Sequence, residues 1–153
     1  MPFRVQRRTQ VELLGEVWLF AGCTKKELGR IASITTPVSV PAGKVLAREG
    51  DTGESFYVVV QGRAVASIDG EEVGAVGPGA FFGELALLDG GPRMATVTAT
   101  APTDLLVLDR SDFDTLLEDC PSVARRMLMA LGGQLRIAER HLAAVRRPAV
   151  TGF

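Results

Sequence analysis

The sequence predicts a mostly β domain flanked by helices, its strands arranged as an antiparallel sandwich or barrel. Three observations predict it. Glycine and proline recur every few residues between positions 37 and 109. Seven or eight short β-rich runs lie between those breaks. Helical spacing of apolar residues is confined to the two ends.

The first end covers residues 9–35. Val11, Leu14, Val17 and Trp18, then Leu28, Ile31 and Ala32, fit the apolar faces of short helices. Thr24 is placed to cap the second of these, with Glu27 three residues on, a capping-box pattern.

The β region covers residues 37–109. Breaks fall at Pro41-Ala42-Gly43, Gly50-Asp51-Thr52-Gly53, Gly62, Asp69-Gly70, Gly77-Pro78-Gly79 and Gly90-Gly91-Pro92. The runs between them are Val38–Val40, Val45–Ala47, Phe56–Val60, Ala64–Ile68, Val73–Val76, Ala95–Thr100 and Leu105–Leu108. Asp69-Gly70 is a hairpin turn pair. Helix returns over 111–147, with Ser111 expected as its cap and Cys120-Pro121-Ser122 as an interruption before a longer helix. The whole of 1–153 is expected to form one domain, and Pro148–Phe153 to be a frayed tail.

Bulk properties narrow the function classes. At 153 residues, 46% hydrophobic and 23% charged, the chain buries enough surface to fold without metal or disulfide. A net charge of −1 supplies no global field toward nucleic acid, so no direct nucleic-acid binding is expected. No run approaches the ~18 apolar residues of a membrane span. Met1-Pro2-Phe3-Arg4 does not open an export signal, and a cytoplasmic location is expected. Cys23 and Cys120 are then expected to be free, buried thiols. His141, the one histidine, cannot build a multi-histidine metal site and reads as a surface helix residue. Arg4, Arg7, Arg8, Arg125, Arg126, Arg146 and Arg147 read as solvated faces. No nucleophile–base pairing is visible, so no enzyme, cofactor or metal is expected.

The informative stretch runs from Phe81 to Val97. Gly79 and Gly83 allow close approach of backbone to a ligand. The short helical turn after Gly83 leaves its first amides without intrahelical partners, which favours an anion. Arg93, just before a strand, offers a planar fork of donors suited to phosphate. Glu84 accepts hydrogen bonds only, so it suits sugar hydroxyls. Donors for phosphate beside one acceptor for hydroxyl describe a sugar phosphate. The plainer reading is a surface Glu84–Arg93 pair contributing under ~1 kcal/mol.

Phe82-Gly83-Glu84-Leu85-Ala86-Leu87-Leu88 followed by Pro92-Arg93-Met94-Ala95-Thr96-Val97 resembles the phosphate-binding cassette of the cyclic-nucleotide-binding domain family. Pro41-Ala42-Gly43, Arg48-Glu49-Gly50-Asp51, Phe56-Tyr57-Val58-Val59, Gly62, Leu106–Arg110 and Phe113 extend the resemblance to roughly residues 12–145. It implies an antiparallel β-roll, a jelly-roll-like barrel with N-terminal helices and C-terminal helices of the family's B and C type. It implies a ligand site of Phe82, Gly83, Glu84, Leu85, Ala86, Arg93, Met94 and Ala95. In that site Glu84 accepts from the ribose 2′-hydroxyl, Arg93 pairs with the exocyclic phosphate oxygens, and the amides of Gly83, Leu85, Ala86 and Ala95 line the phosphate. Leu87 matches the hinge position linking pocket and C-terminal helix. Met94 stands where family members that prefer cGMP often carry threonine, so cAMP is the favoured ligand and cGMP the alternative.

Leu128, Leu131, Leu135, Ala138, Leu142 and Val145 form a heptad-like seam. It fits a homodimer through this helix and equally a face packed on the β core. Gly132-Gly133 within it reads either as close packing or as a hinge. Leu135, Arg136, Glu139 and Leu142 are candidates to cap the base. The expectation is therefore a non-catalytic sensor that moves its C-terminal helix on binding, acting alone on a protein partner or within a longer kinase, channel or transcription regulator. The alternative is an interaction or dimerisation module on the same fold without a ligand.

Overall fold

The computed structural model of the chain describes residues 7–145. The expectations for Arg4, Arg146, Arg147 and the tail lie outside those residues, as do those for the side chains of Arg7, Arg8 and Val145.

Helix α1 (Arg7–Glu16), a 3-10 turn (Trp18–Phe20) and α2 (Lys25–Ile34) precede the first strand. The Thr24 hydroxyl accepts from the Glu27 amide at 3.1 Å and the Glu27 carboxylate accepts from the Thr24 amide at 2.9 Å, so the capping box is complete. Trp18 departs from expectation. It sits in the 3-10 turn, 46% exposed, with the Arg126 guanidinium 5.1 Å from its ring centroid. Arg126 also donates to the Trp18 carbonyl at 2.9 Å, so it is engaged rather than merely solvated.

Eight strands follow: β1 (Thr36–Val40), β2 (Val45–Ala47), β3 (Ser55–Gln61), β4 (Ala64–Ile68), β5 (Glu71–Val76), β6 (Phe81–Phe82), β7 (Thr96–Ala99) and β8 (Thr103–Asp109). They form two four-stranded antiparallel sheets, ordered β1-β8-β3-β6 and β2-β7-β4-β5. The short β6 was not among the expected runs. Two residues carry no alternation, and Phe81 and Phe82 become a strand only by pairing with Val58 and Tyr57. Asp69 and Gly70 both have positive φ, the conformation of a tight hairpin turn between β4 and β5.

Helix α3 (Glu84–Asp89) lies between β6 and β7, and α4 (Arg110–Asp119) and α5 (Pro121–Val145) follow β8. The cap of α4 is Asp109 rather than Ser111. Its carboxylate accepts from the Asp112 amide at 2.9 Å and from the Ser111 hydroxyl at 3.0 Å. An aspartate at this position gains from the helix dipole as well as from the hydrogen bond.

The main core joins the first sheet to the helices through Phe20, Phe56, Leu106, Leu108, Phe113, Leu116 and Met127, all essentially inaccessible. A second, smaller cluster of Ala47, Ala64 and Val97, flanked by Ala66, Val76 and Phe82, lines the inside of the second sheet. Tyr57 joins the two sheets: its hydroxyl donates to the Leu46 carbonyl at 3.1 Å and its ring stacks on Phe82 at 4.7 Å. Cys23 and Cys120 are both free; Cys120 is buried and Cys23 half-buried. Burial pushes the Cys120 thiol up to about 11, which leaves it un-ionised and unreactive.

Helix α5 packs on the body only through its first turns. Val123 and Met127 are buried and Leu131 partly so, whereas Leu128, Leu135 and Leu142 are 69%, 60% and 48% exposed. The face carrying those three leucines is therefore not packed on the β core. The helix runs unbroken through Gly132-Gly133, and a β-carbon at either glycine would meet nothing within 4 Å. Close packing does not account for the glycine pair.

Candidate functional site

A cavity of about 270 Å³ opens between β6, α3 and the inner face of the second sheet. That is near the lower end of the range for small-ligand pockets, roughly 300–1,000 Å³. Small side chains make the room. Ala47, Ala66 and Ala75 line it where the strands would otherwise carry larger residues.

The segment from β6 to the start of β7 forms the rest of the wall. Phe82, Gly83, Glu84, Leu85, Ala86, Arg93, Met94 and Ala95 all line this one cavity. Leu87 does not. It is buried in the main core with Phe113, Leu116 and Met127, so α3 faces the cavity on one side and the packing of α4 and α5 on the other.

Gly83 sets the geometry of the turn. Its φ of +95° is the left-handed conformation, and a β-carbon there would stand 2.6 Å from Arg93 Nη1 and 2.8 Å from the Ser55 carbonyl oxygen. Only glycine fits both demands. As the residue before α3 it brings no side chain to cap the helix, so first-turn amides are left for outside partners.

Arg93 is 8% exposed, unusual for an arginine outside an ion pair. Its Nη1 donates to the Gly83 carbonyl at 3.0 Å and its Nη2 to the Ser55 carbonyl at 2.7 Å. The Tyr57 ring lies 5.8 Å from its carbon Cζ. The backbone around it is fixed too: Arg93 N donates to Asp51 O and Gly50 N donates to Arg93 O, each at 2.8 Å. Two of its five N–H donors meet neutral carbonyls; among the described residues the other three have no partner and no carboxylate lies within 4 Å.

Glu84 is 6% exposed in the same wall. Burial raises its pKa; a hydrogen bond from its own amide and the charge of Arg93 oppose that without cancelling it. The plain surface pair considered from sequence is therefore not what forms: both groups are buried, and neither neutralises the other at contact distance. The cavity presents a positive fork and, apart from it, a carboxylate acceptor.

The C-terminal helix contributes one residue to the lining, Gln134. Of the residues expected there, Leu135 and Leu142 are exposed, Arg136 is exposed and Glu139 half-buried, and none lines the cavity. Sequence spacing does not single Gln134 out: Leu131 packs on the core, but positions 134 and 135 both lie one turn on from it, and Leu135 is exposed.

Comparison with known proteins fits this geometry. Residues 37–120, more than half the chain, match the family model of the cyclic nucleotide-binding domain. The chain belongs to that family, and its two sheets with flanking helices are the family's β-roll. It is 38% identical over 129 residues to the cAMP-dependent protein kinase regulatory subunit of Emericella nidulans, covering 82% of this chain and 31% of that protein. Among solved structures, cAMP-bound PfPKA-R superposes with a TM-score of 0.78 at 28% identity, over 90% of this chain and 47% of that one. The catabolite activator protein of Thermus thermophilus gives 0.77 at 32% identity, over 83% and 62%. The chain spans about a third of the length of the curated relatives it matches. Among the described residues no helix is long and apolar enough to cross a membrane.

Proposed function

We propose that this chain binds cAMP as a non-catalytic regulatory domain and that binding draws α5 toward the occupied pocket. The observation that carries the reading is the buried guanidinium of Arg93, with no carboxylate within 4 Å of it among the described residues, in the same wall as the buried carboxylate of Glu84. A buried cation with no counter-charge in contact is costly. A ligand phosphate would supply that charge through the three free donors, with further support from the amides after Gly83. Glu84 would accept from the ribose 2′-hydroxyl. Leu85, Ala86, Ala95 and Phe82 complete the phosphate and sugar wall, and Met94 faces the base without a hydroxyl to meet a guanine amino group.

The helix movement follows from what α5 leaves exposed. Beyond Leu131 the helix gives the cavity only Gln134 and leaves Leu135 and Leu142 exposed, the glycine pair permits bending, and Leu87 connects α3 to the packing of α4 and α5. A ligand would shift the helix only by binding the closed arrangement more tightly. The exposed Leu128–Leu135–Leu142 face would then seat either on a second copy or on a downstream protein partner.

Titration calorimetry with cAMP, cGMP and cyclic dinucleotides tests the reading. The expected result is binding of cAMP at micromolar or tighter, with cGMP weaker. Absence of heat and of any thermal shift with all of them would overturn it and favour an interaction module on the same fold.

A further inference from the structure

We propose that Arg110, which does not line the cavity, is a positioning residue for phosphate capture: it holds the Gly53 carbonyl, and the Gly53 backbone holds the Arg93 guanidinium in place. The proposal rests on the cyclic-nucleotide reading above and adds to it a residue that acts only through another.

Arg93 lies in a cradle of backbone formed by the turn between β2 and β3. Its amide donates to Asp51 O and its carbonyl accepts from Gly50 N, each at 2.8 Å. Thr52 bridges to Pro92, the residue before it, and Ser55 O accepts from Nη2 at 2.7 Å. Gly53 fills the middle of the cradle. It is buried, and a β-carbon there would stand 2.5 Å from the Ala86 β-carbon, 3.1 Å from Arg93 Nε and 3.2 Å from Arg93 Cζ. Bare backbone therefore lies against the flank of the guanidinium, and the direction of the fork follows the position of this turn.

The turn has little packing of its own, since Gly50, Asp51, Thr52 and Glu54 are all exposed. Arg110 supplies an anchor from 57 residues away: its Nη2 donates to Gly53 O at 2.6 Å. Its Nε also lies 3.7 Å from Glu54 Oε2. The two contacts differ in weight. The Glu54 carboxylate is 68% exposed and the pair is long, so it contributes little. The bond to Gly53 O is short, partly buried and made by a charged donor.

The place of Arg110 on α4 points the same way. It is the first residue of the helix, where the helix dipole disfavours a cation, and the cap of that helix is Asp109. Arg110 thus serves the turn rather than its own helix. Through it the phosphate end of the cavity is fastened to α4 by a bond separate from the Leu87 packing.

Calorimetry with cAMP, melting curves, and amide hydrogen exchange without ligand test the proposal on wild type, Arg110→Ala, Arg110→Gln and Glu54→Gln. Both Arg110 variants should bind cAMP about fivefold more weakly, the worth of one typical hydrogen bond, while Glu54→Gln stays within about twofold of wild type. Both should melt within a few degrees of wild type. In both, the amides of Gly50 and Arg93 should exchange several-fold faster, while those of Val59 and Thr100, bonded to Ala80 O and Arg63 O at a distance from the turn, keep the wild-type rate. If wild type binds and the Arg110 variants bind equally well, or Glu54→Gln loses as much as they do, the pocket reading stands and the Arg110 assignment is wrong. It is equally wrong if exchange rises at all four amides together, since that is general loosening. If wild type gives no heat with cAMP, the pocket reading falls and this proposal with it.

Discussion

Arg93 Nη2 donates to the carbonyl of Ser55 at 2.7 Å, tying an arginine at the head of β7 to the first residue of β3. With the Gly83 carbonyl on Nη1, the guanidinium is held at two corners before any ligand arrives. That preorganisation lowers the cost of binding, since the fork need not be ordered afterwards.

Arg93→Ala should therefore weaken cAMP binding at least tenfold, because a hydrogen bond to a charged group contributes about 1.5–3 kcal/mol. Arg93→Lys should lose most of that as well. A single ammonium cannot hold two carbonyls and present a planar fork together. Calorimetry checks both. Normal binding by Arg93→Ala would mean the site is misassigned although the fold is right.

Glu84 makes a pH signature. Its native pKa is raised above the usual 4.5, mainly by burial. A carboxyl of this kind holds its proton more tightly folded than unfolded, so stability declines as pH rises from the usual glutamate range through the native value. Glu84→Gln should thus melt higher than wild type at pH 7 without ligand. The advantage should shrink as pH falls to about 4. The same variant should bind cAMP more weakly, having lost an ionised acceptor. Melting curves across pH in the absence of ligand decide the first point; a variant less stable than wild type at pH 7 would contradict it.

Gly83→Ala should cost both stability and binding. An alanine in the left-handed region costs about 1–2 kcal/mol, and the new β-carbon must also displace Arg93 Nη1. The melting temperature should fall by several degrees, and cAMP affinity should fall with it. An unchanged affinity would show that the Arg93 position is not set by this turn.

Gly132→Ala and Gly133→Ala should have the opposite effect on stability. Both sites have open space, so each should stabilise α5 by roughly 1 kcal/mol. A gain of about 2–4 °C per kcal/mol is expected for a chain of this size. If the pair serves as a hinge, the double variant should also respond less to cAMP in a distance measurement between α5 and the β-roll. A response equal to wild type would leave the glycines without a part in the motion.

The sequence was most readable where chemistry is local. The capping box at Thr24 and Glu27, the Asp69-Gly70 turn and the break at Pro121 depend on neighbours in the chain, and each appears where its residues put it. The cavity wall of Phe82–Ala86 and Arg93–Ala95 was legible because its glycines, carboxylate and arginine are close in sequence. What was not legible came from distant partners. β6 needs Tyr57 and Val58 beside it. The Ser55 carbonyl on Arg93 comes from 38 residues away. Gln134 lines the cavity because of how α5 leaves the core, which spacing alone cannot tell from the faces of Leu135 or Glu139.

The way α5 is fastened also sets a lever. Gly22 lets the N-terminal turn approach so closely that a β-carbon there would stand 3.3 Å from Ser122, and Arg126 grips Trp18 one turn on. The helix is clamped at its base and unclamped from Gly132 onward. The free arm from Gly133 to Val145 is about 20 Å long at the helical rise. A tilt of about 10° at the glycines therefore carries its tip by about 3 Å, so a small event at the pocket is magnified at the far end of the arm.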